Sequence, residues 1–188
     1  MTQSLSDLSE QILAAARRAG ADAADAIAVD GTSLSITVRE GALEQAERSE
    51  GIDIGLRVFV GQRQACVSSS DTKPSTLTQM AERAVAMAKE APEDPYAGLA
   101  DPSQLTTNIQ TETLELFDPS DEPDPAALQE DATRAEAAAL RNAGVSQVQS
   151  ASAGYGRRRI HLAATNGFSA GYARSDRGLS CVAISGTG

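Results

Sequence analysis

His161 is the single histidine of this 188-residue chain, and Cys66 and Cys181 are its two cysteines. A peptidase zinc site of the HExxH or HExxxH kind needs two imidazoles on one helix face and a carboxylate base beside them. One histidine between Ile160 and Leu162, in a run that alternates like a strand, does not supply that site. The alternation predicts a surface-facing His161. There is no CxxC and no Cys/His cluster. Both cysteines lie in apolar–polar alternating runs, which predicts two buried, reduced thiols. Serines are abundant enough for a Ser-His-Asp arrangement, but no GxSxG nucleophile turn supports one. Gly51, Gly55 and Gly61 belong to no phosphate-binding fingerprint, and glycines in antiparallel strands usually mark bends or bulges. No residue is therefore assigned a catalytic or metal-binding role.

Charge is the other source of chemistry. The net charge is −10, but residues 90–131 carry 12 acidic side chains and no Lys or Arg, whereas residues 132–188 carry 7 basic and 2 acidic ones. The acidic run lacks the alternating ligand spacing and terminal Glu of a calcium loop. Nucleic-acid binding needs a basic stripe that displaces counterions, and most of this chain would repel a phosphate backbone. Arg157-Arg158-Arg159 is the densest basic cluster. Alternation sends Arg157 and Arg159 to one face and Arg158 to the other. The cluster reads as a solvated strand end or, alternatively, as a contact with an acidic partner or with the chain's own residues 90–131.

The elements that must carry these residues follow from hydrophobic period. Leu5, Leu8, Ile12 and Ala16 recur at helical spacing over 4–19, with Ser4 or Ser6 as N-cap, Arg17 and Arg18 in the last turn, and Gly20 as stop. From Ala23 the period becomes two, through Ile27 and Val29, then Leu34, Ile36 and Val38. Glu40-Gly41 turns into 42–49, Ile52 to Val60 form one apolar face, and Gly61-Gln62 turns into 64–70, an antiparallel meander. Pro74 and the spacing of Leu77, Met80, Ala81, Ala84, Val85 and Ala88 predict a helix over 75–90.

Residues 91–124 are acidic and proline-rich, and read as an irregular surface linker. Asp124-Pro125 opens an Ala-rich helix over 125–143 that Gly144 stops. Strands follow at 145–153, 157–165, 168–175 and 178–185, with Asn166-Gly167 as a type I′ hairpin turn and Asp176-Arg177-Gly178 as a second turn. Strands grouped apart from helices predict an α+β fold with mainly antiparallel sheet and three principal helices. Residues 1–90 form a helix–meander–helix region, 91–124 the linker, and 125–188 a helix plus antiparallel strands. No run approaches the roughly 20 apolar residues of a membrane span, and the opening MTQSLSDLSEQ has no signal-peptide pattern, so a cytoplasmic protein is expected.

Three passages, GIDIGLRVFVGQRQACVSSSD at 51–71, EDPYAGLAD at 93–101 and TNGFSAGYARSDRGLSCVAIS at 165–185, resemble the PmbA/TldD family, often labelled modulator of DNA gyrase. The likeness extends to the order and spacing of the whole chain, and DPYAGLAD is closer to the PmbA (TldE) branch. The resemblance implies the N-terminal portion of a chain more than twice this length, with the C-terminal half beyond Gly188. It also implies that zinc belongs to a TldD-like partner carrying HExxxH, with no cofactor in this chain. The expected role is a non-catalytic part of a cytosolic zinc metallopeptidase complex acting on unfolded peptides, inactive by itself. Its partners would be a TldD-like subunit or a second copy and the peptide substrate, with no direct nucleic acid and no membrane. Peptide-contacting positions are not identified by the resemblance. The alternatives are a module that modulates DNA gyrase directly, its acidic stretch imitating DNA, and an autonomous hydrolase. Rigid carboxylates at phosphate-like intervals would suit a DNA mimic, whereas these lie among prolines.

Overall fold

Helix α1 (Leu5–Ala19) starts where Ser4 accepts the N–H of Asp7 and stops where Gly20, at φ 96°, turns left-handed and returns its N–H to Ala16 and Arg17 carbonyls. The computed structural model describes residues 4–186. Met1–Gln3, the first residues of the segment read for a signal sequence, and Thr187-Gly188 lie outside it. After α1 come β1 (Ala23–Arg39), β2 (Ala42–Val60), β3 (Arg63–Ser69), α2 (Pro74–Glu90), α3 (Pro125–Leu140), β4 (Val145–Ala164) and β5 (Ser169–Ser185). The strands form one five-stranded antiparallel sheet in the order β3-β2-β1-β4-β5. The fold is α+β.

The chain divides into two units. The first comprises residues 1–30, 51–115 and 159–173. Here α1 and α2 pack on one face of the sheet, and their buried Leu8, Ile12, Leu77, Ala81 and Val85 meet Ala26, Ala28, Ile54, Leu56 and Val58. Alanines at β1 and along both helices let the layers approach closely. A scarcity of aromatic side chains is thereby met with many small contacts rather than a few large ones. Truncating a wholly buried residue such as Ile12 would cost roughly 2–5 kcal/mol in lost transfer energy and cavity.

The second unit comprises residues 31–50, 116–158 and 174–188. Leu128 and Ala132 of α3 pack on Leu34, Ile36, Val38 and Ala153, with Tyr155 beside them. The β1–β2 turn at Glu40 (φ 53°) and Gly41 (φ 72°) places both central residues in the left-handed region. Its two N–H groups are taken by one carboxylate of α3: Glu40 donates to Glu136 Oε1 at 2.7 Å and Gly41 to Oε2 at 2.8 Å. Glu136 is 3% exposed, a buried charge whose two oxygens both have donors.

Several expectations are corrected. Residues 145–153 and 157–165 are one strand, and so are 42–49 and 52–60 and, at the other end, 168–175 and 178–185. Asp176-Arg177-Gly178 is therefore not a turn. Gly154 and Gly156 have no positive φ; they mark close approach, since a Cβ on Gly154 would stand 3.3 Å from the Leu34 carbonyl. At Asn166-Gly167 only the glycine is left-handed (φ 98°). Gly167 N–H returns to Ala164 O, and Ala164 N–H donates to Phe168 O, as in a three-residue loop ending in a glycine bulge rather than type I′. Helix α3 ends at Leu140 instead of 143, because the Asn142 amide donates to the Ala138 and Ala139 carbonyls and closes the last turn. Residues 91–124 contain two single 3₁₀ turns, Pro102–Gln104 and Glu112–Leu114, and no strand.

Candidate functional site

Hairpin geometry sets which side chains share a row across the first unit. Ile54↔Ser69 through Val60↔Arg63 fixes β2 against β3, so Arg57 lies opposite Cys66 and Gly55 opposite Ser68. Thr165 N–H donates to Ala24 O, and Ala24 N–H to Thr165 Oγ1, which fixes β1 against β4. Three residues along, Ile27 faces Leu162. Because α1 and α2 cover Ala24, Ala26 and Ala28, the alternate residues Asp25 and Ile27 project from the opposite face.

That face holds a trough of about 620 Å³ lined by Asp25, Ile27, Gly55, Arg57, Cys66 and Leu162, among others. Ile27 and Leu162 are 41% and 40% exposed, unusual for a facing aliphatic pair at mid-sheet. Gly55 adds no side chain, and a Cβ there would stand 3.0 Å from Ile27 Cγ2. One end is polar. Arg57 Nε donates to Asp25 at 3.1 and 3.2 Å, its Nη2 reaches the same carboxylate, and the guanidinium lies 5.1 Å over the Phe59 ring. The Asp25 carboxylate raises the Arg57 pKa, so this cation is fixed in place and permanently charged. An apolar strip, flattened at a glycine on which Ile27 rests, with a charged end is binding chemistry. No nucleophile–base pair is assembled in it.

His161 departs from expectation. It is half-buried on the helix-covered face, not directed to solvent. Buried Ser9 donates its hydroxyl to Leu5 O at 2.9 Å, so its oxygen accepts from His161 Nδ1 at 3.2 Å. Nε2 then faces the Ser169 hydroxyl at 3.5 Å, too long for an activated nucleophile. The nearby cleft, about 520 Å³, also holds Arg159 and Asp30, and these pair with each other. Zinc does not fit this donor set: it offers one imidazole, and the neighbouring carboxylate is bound to an arginine. Among the described residues no group of three or more His, Cys, Asp or Glu side chains is placed to hold a metal.

The remaining sequence candidates also separate. Cys66 and Cys181 are exposed free thiols, not buried ones. Strand alternation turns Ala65 and Val67 toward the core and Cys66 away from it, and β5 is an edge strand. Of the arginine cluster, Arg159 pairs with Asp30, outside the acidic stretch, while Arg157 and Arg158 are exposed. The acidic stretch is met instead by Arg63 at Glu93, Arg48 at Glu122 and Arg177 at Asp131. Gly61 occupies a hairpin turn at φ 58°, and Gly51 and Gly55 lie within β2. Sequence reasoning missed the trough. The signal that could have found it was Gly55 in a strand beside an ion-pair-capable Arg57.

Residues 24–88 match the family described as PmbA/TldA metallopeptidase domain 1, and residues 118–188 match its central domain. The chain is 32% identical over 120 residues to the metalloprotease PmbA of Escherichia coli O157:H7, covering 63% of this chain and 26% of that protein. It is 34% identical over 126 residues to a PmbA homolog of Haemophilus influenzae, covering 66% and 27%. The chain thus spans about a quarter of the curated relatives it matches. A candidate modulator of DNA gyrase from Bacteroides thetaiotaomicron shares the fold with TM-score 0.80 at 20% identity, over 93% of this chain and 39% of that one. TldE from Thermococcus kodakarensis does so with TM-score 0.72 at 15% identity, over 96% and 40%. Two successive domains of one family, matched in order on a fold its members share, mean that this chain belongs to the PmbA/TldD family and corresponds to an N-terminal portion of the PmbA/TldE kind.

Proposed function

We propose that the chain is the non-catalytic N-terminal part of a PmbA/TldE-like subunit of a cytoplasmic zinc metallopeptidase, and that it lines the space where unfolded peptides are held. The zinc would reside in a TldD-like partner subunit. The observation that carries this reading is the trough: a half-exposed Ile27–Leu162 pair beside Gly55, closed at one end by a fixed arginine. Exposed aliphatic side chains beside a fixed charge suit an extended chain of no particular sequence. The donor set around His161, with one imidazole held by Ser9, is consistent with chemistry supplied by another subunit.

Among the described residues no helix is long and apolar enough to cross a membrane. The alternative of direct gyrase binding through a DNA-like row of carboxylates is not favoured by what those groups do. Asp101, Asp118 and Asp124 accept nearby backbone N–H groups, and Glu122 and Asp131 pair with arginines.

The test is co-purification of the longer parent polypeptide with its TldD-like partner, with peptidase activity measured for each alone and for the mixture. We expect a complex, activity in the mixture, and loss of most of that activity on Leu162→Asp. A partner equally active alone, with no complex at micromolar concentration, would refute the subunit reading.

A further inference from the structure

At 94%, Tyr96 is the most exposed large hydrophobic side chain among the described residues, well above Leu114 at 63%. Aromatic rings are scarce in this chain, with three Phe, three Tyr and no Trp, and this one contributes to neither core. Local conformation does not ask for it. Residues 94–97 form a β-turn in which Ala97 N–H donates to Asp94 O at 3.0 Å and Pro95 holds the second position. Asp94 Oδ1 accepts the Tyr96 N–H at 2.9 Å. Tyr96 has no positive φ, and the third position of such a turn admits most residues. Nor does the loop lack an inward side, because Ala97 and Leu99 are half-buried.

The turn is held in place within the first unit. Asp94 N–H donates to Gln62 O at 2.8 Å, and the Asn166 amide donates to Ala100 O at 3.0 Å. Arg63 donates to Lys89 O at 2.7 Å and pairs with Glu93 at 3.3 Å. Pro92 and Pro95 restrict the backbone further. A ring presented on a fixed turn loses little conformational freedom on docking, which suits tyrosine to anchor a protein interface. The surroundings define what would accept it. Residues 90–101 contain Glu90, Glu93, Asp94 and Asp101 and no Lys or Arg, which disfavours nucleic acid as the stacking partner. Carboxylates and the face of an aromatic ring both attract cations. A second copy does not offer them in the two clefts described above, since Arg57 is taken by Asp25 and Arg159 by Asp30.

We propose that the 94–97 turn is a docking anchor for a different polypeptide, in which Tyr96 enters an apolar pocket rimmed by arginine or lysine. The ring supplies buried area and cation–π attraction, and the acidic flank steers the approach. The proposal rests on the subunit reading above and names a point at which the two subunits meet.

The probe is the TldD-like partner, titrated against the longer parent polypeptide to give a dissociation constant. Tyr96→Ala should weaken association roughly thirtyfold, as truncation of an anchoring interface aromatic does. Tyr96→Phe keeps the ring and should bind within about threefold of the unaltered parent. Neither change should move the melting temperature of the parent alone by more than about 2 °C. With p-benzoylphenylalanine in place of Tyr96, illumination of the purified mixture should cross-link parent to partner, at residues bordering a pocket with arginine or lysine at its rim. Undiminished association of Tyr96→Ala, or a cross-link confined to the parent or joining two copies of it, would overturn the proposal. So would a large fall in melting temperature with association unchanged, because the ring would then be seated in the parent's own fold. If the unaltered parent forms no complex, the subunit reading fails and the anchor with it. If the complex forms and Tyr96→Ala has no effect on it, the subunit reading stands and only the anchor is refuted.

Discussion

Replacing Glu136 with glutamine alters one atom of a buried side chain and should lower the stability of the second unit substantially. The carboxylate is 3% exposed and serves two donors, Glu40 N–H at 2.7 Å and Gly41 N–H at 2.8 Å, at a turn with no slack because both residues are left-handed. A carboxamide has one acceptor oxygen. If it serves Glu40, its NH₂ group confronts the Gly41 N–H, donor against donor. A buried donor left unsatisfied costs about 1–3 kcal/mol, and the remaining bond also loses its charge assistance. The combined cost is roughly 2–3 kcal/mol. For a chain of this size that corresponds to a fall in Tm of roughly 5–10 °C. Thermal melting followed by circular dichroism measures it, and faster hydrogen exchange at Glu40 and Gly41 localises it. Glu136→Ala leaves both donors unmatched and should be at least as destabilising. If the Glu136→Gln variant melts within about 1 °C of the parent, with unchanged exchange at the turn, the claim that this carboxylate holds the hairpin is refuted.

Two further outcomes are expected. In a carboxyl NMR titration, Asp71, Asp101 and Asp118 should titrate below the ordinary value of 3.8; Asp71 is lowered by the Lys73 N–H and then Thr76, Asp101 and Asp118 by the serine hydroxyl and N–H two residues on. Because these folded-state pKa values are depressed, the stabilisation they confer is present above the ordinary carboxylate pKa and is lost as pH falls through the folded values; midpoints at or above 3.8 would contradict the turn geometry. A thiol reagent added to the native chain should modify two cysteines rapidly, since both are exposed, and protection of either until unfolding would overturn the assignment of Cys66 and Cys181 to outward-facing positions.

Local pattern carried most of the element map. The helical spacing of Leu5, Leu8, Ile12 and Ala16, the switch to period two at Ala23, and the turn at Glu40-Gly41 are set by neighbours within a few residues, and each is present in the fold. Family membership was legible for a similar reason, because it is written in short contiguous passages. Properties that depend on residues distant in the chain were not legible. Whether a glycine breaks a strand depends on what lies across the sheet, so Gly154 against Leu34 O and Gly156 beneath Asp176 read as breaks in sequence and are strand interior in the structure. Which face of β3 is buried depends on where α1 and α2 sit, and that choice turned Cys66 outward. His161 was read as solvent-facing because nothing near it in sequence reveals Ser9, 152 residues away, as its partner. Nothing in the Ala-rich run marks Glu136; only the packing of α3 beneath the β1–β2 turn gave its two oxygens two donors. Periodicity encodes which residues can share a face, whereas the layer covering that face is chosen by tertiary packing, and burial, pairing and the open trough follow from the cover.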